Sequence, residues 1–251
     1  MRFLRESFIV FRRQLRMNLR NPAWVIIGML QPVLYLFLFG PLLEPIVAQL
    51  GVDNAYTFFV PGMLVQLGIF GAFFAGFSLI GEWREGVIEA ERVTPASRSA
   101  LLVGRLTRDV VQLFVQALIL VGLGYALGMV APARGVVFGV LLTLLVGAAC
   151  AAASNALALT TKSEDVMAPV INMVMMPVLL LSGILLPMTL GKQWLQNVSD
   201  WMPFRWVVDA VRTSFAGDFK GDYMVWGSVW AVGLFVLAVW WGTATFRKEN
   251  A

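Results

Sequence analysis

The chain has 251 residues, 59% of them hydrophobic and only 14% charged, with mean hydropathy +0.78 and a formal net charge of +4. Soluble domains carry about 25% charged residues, and here several runs of roughly 20 residues carry almost no charge. That excludes an ordinary soluble protein and points to a chain that crosses a bilayer many times. With no histidine and one cysteine, Cys150, an intrachain disulfide framework, a Cys/His zinc site and histidine acid–base chemistry are excluded, and no metal-ligating set is found.

The first predicted element is Arg2–Arg20. Leu4, Phe8, Phe11, Leu15 and Leu19 follow helical spacing, and six arginines gather on the opposite side. Such a helix lies in the plane of a membrane surface, with Arg5, Phe8, Phe11, Arg12, Arg13 and Arg16 as its interfacial residues. It serves as an anchor, or it also passes force into the first span. Asn21-Pro22 ends it. The apolar run begins only at Trp24, and no cleavable signal-peptide pattern precedes it.

Six spans follow, over 24–43, 58–81, 100–128, 135–160, 167–187 and 224–246. Each is long enough for a hydrocarbon core of about 30 Å at 1.5 Å per residue. Helices are expected because lipid cannot satisfy open backbone groups, and no barrel-like alternation is present. The fold class is therefore an all-α integral membrane protein with six transmembrane helices, forming one domain over 1–251. Placing the N-terminus inside puts 14 of the 19 basic residues there, with only Arg134, Lys192, Arg205, Arg212 and Lys220 outside. Both termini are then cytoplasmic, in a multi-pass protein of the cytoplasmic membrane.

Between the second and third spans lies EWREGVIEAERVTPASR, Glu82–Arg98, charged and cytoplasmic in that orientation. From Glu82 the spacing predicts about three helical turns, with Trp83, Val87 and Ala90 on one face. Gly86 and the like-charged Glu85–Glu89 pair weaken that helix, as though a partner surface stabilised it. Thr94 suits a cap and Pro95 the first position of a new helix entering the third span. The segment is a docking element or a solvated loop with a helical turn.

Inside the spans Asp109, beside Arg105 and Arg108, is the one clear charged candidate, close to the cytoplasmic end of the third span. Gln66, Gln112, Gln116, Ser154, Asn155, Asn172 and Ser182 are polar candidates, read as helix–helix hydrogen bonds ahead of substrate ligands. Cys150, in the small-residue run LLVGAACAAASNALAL, reads as a packing residue. An interior this poor in charge suits a hydrophobic or amphiphilic cargo better than an ion.

Pro187–Asp222, on the outside, is too amphipathic for a disordered loop. Trp194, Leu195, Val198, Trp201 and Met202 share a helical face, Pro203 breaks the run, and Arg205, Asp209 and Arg212 line up at i, i+4 and i+7. Two short helices tucked back into the outer leaflet are expected, with tryptophans at headgroup depth. They form a surface pair with a salt ladder, or an outer gate built from Trp194, Trp201, Pro203, Arg205, Asp209 and Arg212.

No phosphate-binding loop G-x-x-x-x-G-K-[ST] is present; Gly191-Lys192 is followed by Gln193. The chain is not expected to be catalytic, and any energy would come from a partner. Alternatives are a secondary transporter, which needs a charged relay that the spans hardly show, and a non-transporting membrane scaffold.

Trp83–Arg105, WREGVIEAERVTPASRSALLVGR, resembles the permease subunits of type-2 ATP-binding-cassette (ABC) exporters, and most of all the daunorubicin-resistance branch. The residues that carry the likeness are Glu85-Gly86, Glu89, Val93-Thr94-Pro95, Ser97-Arg98 and Gly104-Arg105. SGILLPM, Ser182–Met188, with the following tryptophans, Pro203 and Arg212, is similar to the end of that family's fifth span and its outer re-entrant helices. The resemblance implies a permease domain working as a homo- or heterodimer, with the first and fifth spans lining the route. It implies separate ATPase subunits that carry ATP and magnesium, so that this chain holds no cofactor and binds no nucleic acid. It makes Glu82–Val93 a coupling helix, with Glu82, Arg84, Glu85, Gly86, Glu89, Arg92, Thr94, Pro95 and Arg98 as the ATPase-coupling residues.

Overall fold

The computed structural model describes residues 2–20, 23–49, 54–88, 98–185 and 187–249. All regular structure among these residues is helical: α1 (Arg2–Arg20), α2 (Ala23–Gln49), α3 (Ala55–Phe73), α4 (Ala75–Arg84), α5 (Arg98–Ala126), α6 (Ala133–Thr161), α7 (Glu164–Leu181), α8 (Gln193–Asp200), α9 (Pro203–Phe215) and α10 (Asp222–Glu249). A single 3₁₀ turn, Met188–Leu190, precedes α8.

Among the described residues, five segments are long and apolar enough to cross a bilayer: Ala55–Arg84, Ala100–Ala126, Ala133–Thr161, Glu164–Leu181 and Asp222–Thr245. The protein is a multi-pass membrane protein. The helix of the first expected span, α2, is 27 residues long, though its describable apolar stretch, Ile26–Leu42, is shorter than the other five.

The second expected span differs from a straight helix. Its hydrogen-bond ladder is interrupted at Phe74, between α3 and α4, where no proline stands. The cause is a side chain from α6 entering the hydrogen-bond ladder. The Ser154 hydroxyl donates to the Phe73 carbonyl at 2.5 Å and accepts the Gly76 amide at 3.1 Å. An inserted side chain of this kind is an established source of helix kinks. Gly76 is needed there, because a Cβ would lie 2.5 Å from the Ser154 carbonyl oxygen.

Two further expectations are corrected. The fifth span ends at Leu181, six residues early, because Gly183 turns left-handed at φ 72°. The coupling helix does not start at Glu82. Glu82 and Arg84 belong to the last turn of α4, and the chain turns at Glu85-Gly86, where Gly86 has φ 73°. Val87 and Ile88 resume helical geometry. Glu89, Arg92, Thr94 and Pro95 lie outside the described residues, and Arg98 opens α5.

Helix α6 is the axis of the fold, packed by α3, α4, α5, α9 and α10. Gly147, Ala148, Ala149, Cys150, Ala151 and Ala152 are all buried along it. Without side-chain bulk, neighbouring backbones can approach closely, which is how helices pack when lipid is as apolar as leucine. Cys150 is thus a buried packing residue. Large apolar side chains are exposed instead along α2, α7 and α10, among them Leu38, Met173 and Trp240.

Candidate functional site

Polar side chains collect at the two ends of the bundle. At the arginine-rich end, α1, α4 and α5 meet. Helix α1 leaves Leu4 and Phe8 exposed on its apolar face, with Phe11 half-buried, and Arg5, Arg12, Arg13 and Arg16 exposed elsewhere. Its protein-facing side is a third face, Ser7, Val10 and Gln14, seated on α5.

Gln14 is only 1% exposed. Its amide nitrogen donates to Glu82 Oε1 at 2.7 Å, and its oxygen accepts from Arg108 Nη1 at 3.2 Å. Glu82 Oε2 accepts from Arg105 Nη2 at 2.7 Å, and Arg108 Nε donates to Asp109 Oδ1 at 2.9 Å. Glu82, Arg105 and Arg108 are all buried. Two carboxylates and two guanidiniums thus share one enclosure, and a pairing of this kind is what makes buried charge tolerable.

Glu82 therefore points into the fold rather than outward to a partner, unlike the exposed docking group expected. Arg84 does face outward and pairs with Glu164, at the start of α7, at 3.0 Å; Glu85 is exposed beside it. Asp109 belongs with Arg105 and Arg108 to this buried network. Gln14 was missed by sequence reading. Its one signal was its place between the apolar and arginine faces of α1, where a lone glutamine draws no notice.

Asp109, Gln112 and Gln116 of α5 line a cavity of about 30 Å³ with Gly71, Ala72 and Gly147. That is room enough for water. Of the other polar candidates, Gln66, Asn155 and Ser182 are buried, whereas Asn172 is exposed on α7.

At the opposite end α8 and α9 close the bundle. Val207, Ala210, Val211 and Phe215 are fully buried, making α9 a core helix rather than a surface one. Pro203 is its first residue, a position that spares an unpaired N–H. Arg212 Nη2 donates to the Ile184 carbonyl at 2.9 Å, and its guanidinium lies 4.0 Å over the Phe58 ring. A Cβ on Gly62 would stand 2.5 Å from that same carbonyl oxygen, so α3 approaches the post-α7 turn only because residue 62 is glycine.

Asp209 lies 3.5 Å from Arg205 Nε and 3.9 Å from Arg212 Nη1, and Arg205 also pairs with Asp200. Burial raises the Asp209 carboxyl above its ordinary value and lowers Arg212 to about 10, so Arg212 stays charged near neutral pH. Trp194 and Trp201 of the α8 turn are 64% and 88% exposed, as headgroup-depth tryptophans would be.

Comparison with known proteins bears on this arrangement. Residues 5–216 match the ABC-2 type transporter family, from α1 to the end of α9. The chain belongs to that family. A putative transport permease of Cyanophora paradoxa is 30% identical over 216 residues, covering 84% of this chain and 74% of its own length. A daunorubicin resistance ABC transporter permease protein of Streptomyces coeruleorubidus is 26% identical over 215 residues, covering 85% of this chain and 73% of its own length. Membership in this family implies, in general, a partner that binds ATP.

Proposed function

We propose that this chain is the permease subunit of an ATP-driven exporter, moving a hydrophobic or amphiphilic substrate, a drug, lipid or lipid-linked glycan, across the cytoplasmic membrane. The observation that carries the reading is the family match over residues 5–216 of a chain that has no phosphate loop of its own. Hydrolysis, with its ATP and magnesium, then belongs to a separate ATPase subunit. A relative named for daunorubicin resistance supports efflux of an amphiphile.

The arginine-rich end supports the docking side. There the interfacial helix, the turn at Gly86 and the outward-facing Arg84 and Glu85 lie together. The ATPase would meet Arg84–Arg98, including Glu89, Arg92, Thr94 and Pro95, on the cytoplasmic face. The α8–α9 end would be the outer gate.

A second permease chain is supported by two amides. Gln31 of α2, whose amide donates to the Tyr35 hydroxyl at 3.3 Å, and Asn172 of α7 are exposed on helices that also expose large apolar side chains. Each stands eight residues into its helix from the same end (23 to 31 and 164 to 172), about 12 Å at 1.5 Å per residue. Exposed amides at that depth favour another protein surface or a polar route over lipid. The first and fifth spans of two copies would then line the path.

The test is purification of the tagged chain from its native membranes in mild detergent, with the co-purifying proteins identified. A stoichiometric soluble protein carrying a phosphate loop is expected, and the reconstituted pair should move amphiphiles only with ATP. Transport that persists without ATP and collapses with an ion gradient would replace this reading with a secondary transporter.

A further inference from the structure

We infer that Gln14 is the positioning residue that locks the interfacial helix to the base of the coupling segment, so that α1, α4 and the start of α5 move as one body. The inference rests on the exporter reading above for its consequence, but its geometry stands apart from it. Helix α1 lies close on α5: a Cβ on Gly104 would be 2.7 Å from the Val10 Cβ and 2.9 Å from the Ser7 carbonyl oxygen. One turn further along the same face, Gln14 spans two helices, donating to Glu82 at 2.7 Å and accepting from Arg108 at 3.2 Å.

A primary amide of this length meets both demands, because it carries a donor and an acceptor on one planar head. An ionised glutamate would repel Glu82, a lysine would repel Arg108, and an apolar residue would leave both buried partners short of a hydrogen bond. Among the described residues the groups facing Gln14 are Glu82 of α4 and Arg108 of α5, with Arg105 and Asp109 next to them.

Glu82 lies four residues before Gly86, where the chain turns into the proposed docking segment. A push on that segment therefore reaches the interfacial helix through Gln14, and membrane-surface motion of α1 reaches the segment by the same route. Losing these hydrogen bonds should uncouple the two without removing either.

The experiment uses the full chain with Cys150→Ala and spin labels on Ile9→Cys of α1 and Ser78→Cys of α4, both exposed positions, in lipid nanodiscs without ATPase. Gln14→Met keeps the volume and removes the hydrogen bonds. It should broaden the α1–α4 distance distribution, and in the complete complex it should cut transport per ATP about tenfold with hydrolysis held within about twofold. Gln14→Glu should be broad at about pH 8 and narrow towards about pH 5, because a protonated carboxyl donates and accepts as the amide does. A distribution in Gln14→Met as narrow as in the parent, an unchanged transport-to-hydrolysis ratio, or a Gln14→Glu chain indifferent to pH would overturn the proposal. If the parent complex shows no ATP-dependent transport, the exporter reading fails instead, and the distance measurement still decides the lock.

Discussion

Arg212 shows how one side chain can hold three elements. From α9 it reaches the turn after α7 through the Ile184 carbonyl and α3 through the Phe58 ring. A charged hydrogen bond contributes about 1.5–3 kcal/mol and a partly desolvated cation–π contact about 1–2. Arg212→Met should therefore destabilise the purified protein by about 2–4 kcal/mol, read as a lowered melting temperature in detergent. Arg212→Lys should recover less than half, since an ammonium lacks the planar fork that meets ring and carbonyl together. Its neighbour Asp209 gives a test by pH. Burial, opposed by Arg212 and Arg205, raises its carboxyl above 3.8. The folded state then holds this proton where the unfolded chain has lost it, so acidification through that window stabilises the fold. Asp209→Asn should flatten that gain; an equal pH slope in both proteins would show that Asp209 titrates alike folded and unfolded. Asn172 is a residue of the opposite kind, exposed and without an assigned structural task. Asn172→Leu should leave melting unchanged and lower export if it faces the route, whereas undiminished export would place it off the route.

At the scale of elements, hydropathy made the spans readable because a run of some 20 uncharged residues has few other fates. Helices α5, α6 and α10 accordingly fall within two or three residues of the expected bounds. What escaped sequence reading depends on register between helices. The interruption at Phe74 is made by Ser154, more than 70 residues away, and nothing in GAFFAG announces it. Likewise the buried role of Glu82 follows from where α1 and α5 lie, while its local context, EWREG, reads as solvated. In α9 the ladder Arg205–Asp209–Arg212 was visible as a spacing, but its targets were not, because a backbone carbonyl at Ile184 leaves no trace in side-chain chemistry. The interruption itself is testable. Ser154→Ala strips both hydrogen bonds and leaves the Phe73 carbonyl and the Gly76 amide to each other. Interhelical hydrogen bonds in membranes average about 0.6 kcal/mol and reach about 1.7. A loss of about 1–2 kcal/mol is expected for the pair; no change in melting would mean that the α3–α4 junction is held by packing alone.

For the molecule as a whole, every functional assignment hangs on which end faces the cytoplasm. The buried Gln14–Glu82–Arg105 cluster, the Arg84–Glu164 pair and the turn at Gly86 stand at one end, and the α8–α9 cap with Arg212 at the other. ATP is hydrolysed on the cytoplasmic side, so a docking surface at the first end requires that end to be inside. The 14 basic residues assigned there, against five at the other, favour that orientation through the positive-inside bias. In a Cys150→Ala background, Asn197→Cys on the exposed side of α8 should react with a membrane-impermeant maleimide applied to intact cells. Phe8→Cys on α1 should react only after the cells are opened. The reversed pattern would leave the family membership intact but would move α8 and α9 to the ATPase side, and the coupling role proposed for Arg84–Arg98 could not survive it. Labelling of both sites from outside would point to a mixed orientation, in which neither end could serve as a dedicated docking face.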